Sequence, residues 1–220
     1  MENIRWFGHA SFAITDKVSG NKVYFIDPYQ MPDLGPEKAD IIFITHAHPD
    51  HLSLGDIDNL LKPDTTVVAT SDSLNTLKIS DSQKFHVTPN QEYEIKGLKF
   101  ETVPAYNTHA ERLSFHPESN HWVGYILHVN GQKIYHAGDT DFIPEMKKFA
   151  EKNLDIAMLP MGGGYTMGVE EAIEAANAIA AKVTIPMHYR RNIGPDYPKH
   201  EEKLKAGVKN SKVEILEEVA

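Results

Sequence analysis

Four side chains of the types that bind metal ions fall within six consecutive positions, in the segment His46-Ala47-His48-Pro49-Asp50-His51. His46 and His48 are two residues apart, so in an extended segment their imidazoles leave the backbone on the same side. Asp50 and His51 follow a proline that favours a tight turn, and they add a carboxylate and a third imidazole. Imidazoles and carboxylates that converge in this way favour a divalent cation such as Zn, Mn or Fe. The spacing therefore predicts a metal site.

Two further segments present a ligand-type residue just after a hydrophobic strand. Asp139 follows the apolar run at 133–136, and Gly138 lets the backbone turn sharply before it. His188 follows the run at 183–186 in the same way. Taken alone, Asp139 is better interpreted as an Asx-turn carboxylate and His188 as a half-buried ring, but beside the 46–51 cluster both of these interpretations become unfavourable. Because α/β proteins place ligands at the carboxyl ends of strands, both are predicted to join the histidine cluster.

The spacing of apolar residues predicts the elements that must position these side chains. Short β-branched or aromatic runs bounded by turn residues predict strands at 4–7, 22–26, 41–45, 66–70, 98–103, 122–129, 133–136, 156–159 and 183–186. Helical periodicity predicts helices at 54–61, 73–79 and 169–181, with weaker patterns at 142–152 and 199–206. Early strands are joined mostly by short turns and later strands alternate with helices, which predicts a layered α/β domain.

Composition narrows the function further. The chain has 220 residues, with 22 Lys and Arg against 31 Asp and Glu, and its formal net charge is −9. A nucleic-acid partner requires a basic face, so this balance argues against one. The sequence has no cysteine, which excludes disulfides and thiolate metal ligands. Histidine is abundant at 12 residues, in agreement with a metal site.

The chain shows no linker of the Pro-rich or Gly/Ser-rich kind, so a single domain over residues 1–220 is predicted. Its first five residues lack the basic and apolar regions of a secretory signal. The longest uncharged stretch, 156–169, contains three consecutive glycines and is too short to cross a bilayer. We therefore expect a cytoplasmic protein without a transmembrane segment, monomeric or homo-oligomeric, that acts on a small molecule.

The order of the motifs resembles that of the metallo-β-lactamase superfamily. The resemblance rests on Ile26-Asp27-Pro28, the 46–51 segment, Gly138-Asp139-Thr140 and Pro186-Met187-His188, which look like the first, second, fourth and fifth motifs. The segment Trp6-Phe7-Gly8-His9-Ala10-Ser11-Phe12 is similar to the opening of a subgroup that includes the ascorbate phosphate lactonases and N-acyl phosphatidylethanolamine phospholipase D. The resemblance extends over residues 4–189 and implies a four-layer αββα sandwich, with two mixed sheets between helices.

The same resemblance implies a dinuclear metal centre at the edge of the sandwich. It implies that His46 and His48 bind one metal. The other metal would be bound by Asp50, His51 and His188, and Asp139 would bridge the two. One or two divalent ions per chain are expected, of Zn, Mn, Fe or Ni. Asp50 and Asp139 are the predicted catalytic residues. His9 and Asp27 are expected to support the ligands from behind, because metal-bound imidazoles need a partner that fixes their tautomer.

One motif departs from the family pattern. The third motif is a His after a strand, and here Asn107 stands in that place. Its carbonyl is a weak, neutral oxygen donor. His109 and His116 in the following loop are candidates for the missing imidazole. We expect His116, because Pro117 restricts its backbone, and predict that His116 and Asn107 face metal or substrate.

Two features are candidates for substrate binding. Arg190 follows the predicted ligand His188 by two positions, and Gly163 lies in a run of three glycines before the helix at 169–181. A guanidinium and the N-terminus of a helix both favour an anionic group. Each also has an ordinary structural interpretation, as a solvated arginine and as a permissive turn.

These observations predict a metal-dependent hydrolase in which a metal-bound hydroxide attacks an ester, lactone or phosphodiester bond of a small anionic substrate. The sequence contains neither a cysteine nucleophile nor a Gly-x-Ser-x-Gly elbow, so direct attack by hydroxide is favoured. Two alternatives stay open. One is a non-catalytic or weakly catalytic metal-binding module, favoured by the missing third-motif His, and the other is a nuclease of the same fold.

Overall fold

Residues 2–219 are described by a computed structural model, in which the chain forms two compact units. The first unit contains the chain up to Thr88 and the segment from Glu217 onwards, and the second is Pro89–Leu216. Each unit is built on its own mixed sheet with helices between its parallel strands. The predicted α/β class with two mixed sheets is confirmed. A single domain over residues 1–220 stays a prediction.

The first sheet has six strands, which lie in the order of the chain: β1 (Ile4–Trp6), β2 (Phe12–Asp16), β3 (Lys22–Ile26), β4 (Ile41–Phe43), β5 (Thr66–Ala69) and β6 (Lys84–His86). Strands β1 to β3 pair antiparallel through short turns, and β3 to β6 pair parallel. Parallel neighbours need a crossover, which is supplied by helix α1 (Leu54–Leu60) between β4 and β5 and by helix α2 (Ser71–Thr76) between β5 and β6. A 3₁₀ turn at Asp81–Gln83 precedes β6.

The core of the first unit explains why β4 and β5 read as continuous apolar runs. Every residue of both strands is buried, as expected for parallel strands covered on both faces. Helix α1 contributes Ile57 and Leu60 to a cluster that includes Ile42 and Val67. Full burial of an aliphatic side chain is worth roughly 1.5–3 kcal/mol, so this cluster fixes β4 and the chain that follows it.

The second sheet has seven strands: β7 (Glu92–Ile95), β8 (Leu98–Pro104), β9 (Val123–Val129), β10 (Gln132–His136), β11 (Ile156–Pro160), β12 (Val183–Met187) and β13 (Lys212–Val213). Strands β7 to β10 pair antiparallel, and β10 to β13 pair parallel. The crossovers are a 3₁₀ run at Pro144–Lys152 and helices α3 (Val169–Ile179), α4 (Arg190–Ile193) and α5 (Tyr197–Gly207). Shorter 3₁₀ turns lie at Glu118–Asn120 and Gly194–Asp196.

The structure differs from the sequence-based expectation mainly at short or polar strands. Four strands were not predicted, namely β2, β6, β7 and β13. Strand β6 has three residues and β13 has two, too few to show a period, and β7 alternates charge with half-buried positions at an edge. The weak helix pattern at 142–152 is a 3₁₀ run that begins at Pro144. Within residues 2–219, no helix combines the length and apolar composition that crossing a bilayer requires.

Candidate metal centre

Strand β4 carries the predicted cluster at its carboxyl end. Ile44 extends the pairing, since its amide donates to the carbonyl of Val68 at 2.9 Å. The chain then turns tightly, because the amides of His51 and Leu52 both donate to the carbonyl of His48, at 3.0 and 2.8 Å. This turn gathers the ligand-type side chains that follow the strand.

Three imidazoles lie against one another in this turn. His46 Nε2 is 3.0 Å from His48 Nδ1, and the ring centres of His46 and His51 are 4.0 Å apart. His46 and His51 are buried and His48 is half-buried. Imidazole nitrogens that face each other at this distance share a proton or a cation, and three of them match the donors preferred by divalent transition metals.

Asp27 supports this turn from a fully buried position at the end of β3. Its carboxylate accepts hydrogen bonds from the Thr45 amide at 2.8 Å, from the Thr45 hydroxyl at 2.6 Å and from His51 Nδ1 at 2.8 Å. A proton on Nδ1 leaves Nε2 of a neutral His51 as a lone-pair donor, the tautomer that a metal ligand needs. Asp27 thus lies where the sequence predicts a supporting carboxylate, whereas the role of Thr45 was missed.

His9 is the partner of Asp50. His9 Nε2 donates to Asp50 Oδ2 at 2.9 Å, and the same oxygen lies 3.9 Å from His51 Nε2. His9 and Asp27 both have positive φ, at 49° and 46°, which side-chain-bearing residues rarely adopt. The backbone is therefore held in an unfavourable conformation at two of the supporting residues of the first unit.

In the second unit, two of the predicted ligands meet at one carboxylate. Asp139 follows β10 and His188 follows β12, and His188 Nε2 lies 3.1 Å from Asp139 Oδ2. Both side chains are buried, and His188 has a positive φ of 54°. A glycine is required opposite, because a Cβ at Gly162 would lie 2.1 Å from the carbonyl oxygen of His188. The two strand ends thus bring a carboxylate and an imidazole together, as the sequence predicts.

His116 joins the same carboxylate. Although it lies in a loop, His116 is buried, with Nε2 3.4 Å from Asp139 Oδ2. Its Nδ1 donates to Asn107 Oδ1 at 2.9 Å, which leaves Nε2 of the neutral ring as an acceptor that faces a second acceptor. A cation or a second proton between the two resolves this repulsion. His109, the other candidate, has a half-exposed side chain that lies 3.3 Å from Glu171.

Asn107 is placed to orient His116. While its Oδ1 accepts from His116, its Nδ2 donates to Asp141 Oδ1 at 3.0 Å and to the Tyr165 carbonyl at 3.1 Å. Both ends of the amide are therefore engaged within the second unit. Because an amide oxygen that already accepts from an imidazole is a poor further metal ligand, these contacts favour a positioning role for Asn107, and its predicted contact with metal or substrate stays a prediction.

Asp141 and Arg112 form a support that the sequence analysis missed. The buried Asp141 accepts from the amides of Thr108 at 2.7 Å and His109 at 3.0 Å, and Arg112 bridges it to Glu171 at 3.1 and 2.9 Å. Ligand atoms of His109, Asp141 and Glu171 lie within 4.8 Å of one another, and the single guanidinium of Arg112 already contacts both carboxylates. The position of Asp141, two residues after Asp139, was the available signal.

The two predicted substrate-binding groups both form hydrogen bonds within the second unit, and their role in substrate binding stays a prediction. The guanidinium of Arg190 donates to Glu201 at 3.3 Å, to the Leu216 carbonyl at 3.3 Å and, through Nε, to the Tyr189 hydroxyl at 3.1 Å. The amide of Gly163 donates to the Met167 carbonyl at 2.9 Å and so closes its own turn.

Two tyrosines next to predicted site residues are unsuited to act as bases. Burial and a hydrogen bond to Glu145 raise the pKa of Tyr106 to about 12. Burial and a hydrogen bond to Glu201 also raise the pKa of Tyr189 well above its ordinary value. Both hydroxyls therefore stay protonated near neutral pH, and proton transfer falls to imidazoles and carboxylates.

A family model described as the beta-lactamase superfamily domain matches residues 3–188 of this sequence. The chain belongs to this superfamily. The predicted resemblance to the metallo-β-lactamase superfamily is thus confirmed, while the subgroup with ascorbate phosphate lactonases stays a prediction. The candidate ligands are imidazoles and carboxylates, with no sulfur among them, and oxygen atoms accept hydrogen bonds from the Nδ1 atoms of His51 and His116. Such a set fits the divalent metal that the family implies.

More similar relatives show to which group within the superfamily this chain belongs. A UPF0173 metal-dependent hydrolase of Thermoplasma acidophilum is 35% identical over 199 residues, which cover 86% of this chain and 84% of that protein. One from Pyrococcus furiosus is 34% identical and covers 98% of this chain and 96% of its own. A crystal structure from Parabacteroides distasonis, of a protein proposed to be a metal-dependent hydrolase, has a TM-score of 0.81 at 34% identity, covering 96% of this chain and 91% of that one. The chain therefore belongs to the UPF0173 metal-dependent hydrolases.

Proposed function

We propose that this protein hydrolyses a carbonyl ester or lactone with the help of one or two bound divalent ions, of Zn, Mn, Fe or Ni. The observation that carries the proposal is the pairing of His116 with Asp139, supported by that of His51 with Asp50. In both pairs an oxygen acceptor holds Nδ1, so that Nε2 faces a carboxylate at 3.4 and 3.9 Å. A second proton or a cation stabilises such a contact, and the surrounding set of imidazoles and carboxylates favours a divalent metal ion.

The proposed ligands are the predicted residues together with His116, which takes the place of the missing third-motif His: His46, His48, Asp50, His51, His116, Asp139 and His188. This assignment rests on donor chemistry and on the order of the family motifs. When bound, a divalent ion lowers the pKa of water towards about 7 and polarises the bond under attack.

Protein groups supply the remaining chemistry. We propose that Asp50 accepts the proton of the attacking water, since it is half-buried and its carboxylate is oriented by His9. Asp139 would hold His116 and His188 in place through its Oδ2. Asp27 would keep His51 in its ligand tautomer throughout turnover, because its own carboxylate is fully buried.

A carbonyl substrate is favoured over the phosphodiester alternative. The two groups predicted to receive an anion, Arg190 and Gly163, are engaged with other protein atoms. A phosphodiester carries a charge that would need such partners. We therefore place a neutral ester or lactone first and use a phosphodiester as the competing substrate.

The test begins with protein stripped by a chelator and reloaded separately with Zn, Mn, Fe or Ni. Turnover of p-nitrophenyl acetate, γ-butyrolactone and bis(p-nitrophenyl) phosphate is then compared, with metal measured by mass spectrometry. At least one metal should restore ester or lactone hydrolysis, and His51→Ala should lose both metal and activity. His86→Ala, an exposed histidine of the same unit, is the matched control. Stripped protein with full activity, or a preference for the diester, would contradict the proposal.

A further inference from the structure

Three exposed apolar side chains lie on the two loops that hold His116. Among residues 2–219, only six large hydrophobic residues are exposed, and Leu113, Phe115 and Tyr165 are three of them, at 47%, 37% and 51%. Phe115 and Tyr165 pack edge to face, with ring centroids 4.7 Å apart and an interplanar angle of 86°. We call Leu113, Phe115 and Tyr165 the apolar patch. Solvent-exposed apolar groups concentrated in this way indicate a binding surface.

The apolar patch is tied to His116 through covalent and hydrogen bonds. Phe115 directly precedes His116 in the chain. The Tyr165 carbonyl accepts from Asn107 at 3.1 Å, and the same Asn107 accepts from His116 at 2.9 Å. A ligand that covers the two rings is therefore held at a fixed position relative to the imidazole that faces Asp139.

The charges around the apolar patch disfavour an anionic ligand. Arg112 is the only lysine or arginine in residues 107–120. It is buried, it contacts Asp141 and Glu171, and it also donates to the Thr166 carbonyl. The other formal charges of this segment are the exposed carboxylates Glu111 and Glu118. A neutral apolar group meets no such repulsion.

We propose that the apolar patch binds the acyl or aryl group of a neutral ester or lactone, and so determines which substrates this enzyme accepts. The inference rests on the proposed function and narrows its substrate from any neutral ester or lactone to one with a hydrophobic acyl or aryl group. Burial of one methylene group is worth roughly fourfold in affinity. Since the patch is open to solvent, a gain of about twofold per methylene is expected.

The first test is a chain-length series of p-nitrophenyl acetate, butyrate and hexanoate on the metal-loaded protein. Wild-type kcat/KM should rise about sixteenfold from acetate to hexanoate, which adds four methylene groups, mainly through KM. Phe115→Ala and Tyr165→Ala should reduce this rise to about twofold, while Tyr165→Phe, which keeps the ring, should retain it. Val18→Ala is the control, because Val18 is an exposed apolar residue of the first unit. An unchanged chain-length ratio in both alanine variants overturns the proposal.

The second test measures binding without turnover. Isothermal titration calorimetry of N-hexylacetamide, an unreactive neutral probe, should give at least fivefold weaker binding for Phe115→Ala than for wild type. The heat-capacity change should be negative for wild type, as apolar burial requires. Hexyl phosphate should bind more weakly than the amide. Tighter binding of the phosphate, or equal binding of the amide to both proteins, overturns the apolar patch.

The two tests separate this inference from the proposed function. Ester turnover without any chain-length preference overturns the apolar patch and leaves the hydrolase intact. Absence of ester and lactone turnover, with amide binding that still depends on Phe115, overturns the proposed reaction and retains the apolar patch as a ligand site.

Discussion

The two units bring their proposed metal ligands together in different ways. In the first unit, His46, His48 and His51 come from a single turn after β4, and their rings are in mutual contact. In the second unit, Asp139 and His188 follow two different strands, and His116 reaches them from a loop. The first arrangement needs one strand end to be correct, whereas the second needs three segments to arrive together.

The residues that orient the histidines of the two units differ in the same way, since one is close in the fold's sequence of strands and the other belongs to a longer series of contacts. The Nδ1 atom of His51 donates to Asp27, which lies at the neighbouring strand end. His116 is held by Asn107, which depends on Asp141 and through it on Arg112 and Glu171, a chain of contacts between residues up to 59 positions apart. The local cluster of His46, His48 and His51 should therefore tolerate changes elsewhere in the chain. The dispersed cluster of His116, Asp139 and His188 depends on residues that are distant in sequence.

The largest loss of activity is expected at Asp139, the carboxylate that both His116 and His188 face. Asp139→Ala removes the carboxylate that holds both His116 and His188, so ester turnover should fall about a thousandfold or more. The residue lies beyond a strand end, so circular dichroism should show a native fold. Wild-type turnover in this variant would show that the second unit does not take part in catalysis.

The next largest effect separates the two loop histidines. His116→Ala should lower kcat/KM about a hundredfold, because it deletes a buried imidazole that faces Asp139. His109→Ala should stay within about twofold, since its side chain is half-exposed and is directed at Glu171. Equal losses in the two variants would contradict the placement of His116.

The support of the local cluster is tested by Asp27→Asn. Loss of the carboxylate behind His51 should weaken metal binding about 10- to 100-fold, measured by competition with a chromogenic chelator. Asp16→Asn is the control, because Asp16 is another buried aspartate of the first unit, bonded instead to Tyr24 and its own turn. A metal affinity that falls equally in both variants would count against a specific role of Asp27.

The smallest effect concerns stability alone. Gly55 lies in helix α1 with nothing within 4 Å of an added Cβ, so Gly55→Ala should raise the free energy of unfolding by about 0.5–1 kcal/mol. Gly162→Ala should lower it, because its Cβ would collide with the His188 carbonyl. Thermal unfolding of the two variants measures both signs. A stabilised Gly162→Ala would refute the close approach.

The sequence predicts the local cluster of the first unit better than the dispersed cluster of the second. Spacing alone placed His46, His48, Asp50 and His51 in one group, because i and i+2 positions and a proline turn are local. The partner of His116 could not be predicted from spacing, because the Asn107 contact depends on how the loop closes. Arg190 and Gly163 illustrate the limit of residue type. Their types suit anions, but the sequence does not reveal that Arg190 donates to Glu201 or that the amide of Gly163 donates to the Met167 carbonyl.

Prediction of the strands from the sequence has a similar limit. The parallel strands β4, β5, β11 and β12 were predictable because they lie in runs of almost entirely apolar and buried residues. Strand β2 was missed although it is nearly all buried, since its mixture of Phe, Ala, Thr and Asp has no clear period. Strand β13 consists of two residues that the parallel neighbour β12 holds in place. Pairing partners, rather than local preference, define such elements.

The left-handed backbone at His9, Asp27 and His188 has a consequence for protein engineering. A non-glycine residue in this region costs of the order of 1 kcal/mol, and glycine there would relieve the strain. Each of these side chains is also a proposed ligand or its support. At Asp27, however, glycine would also remove the buried carboxylate that accepts from Thr45 and His51, a larger loss than the strain relieved, so the left-handed backbone here gives no route to a more stable protein. A stabilisation campaign on this protein should keep all three residues fixed.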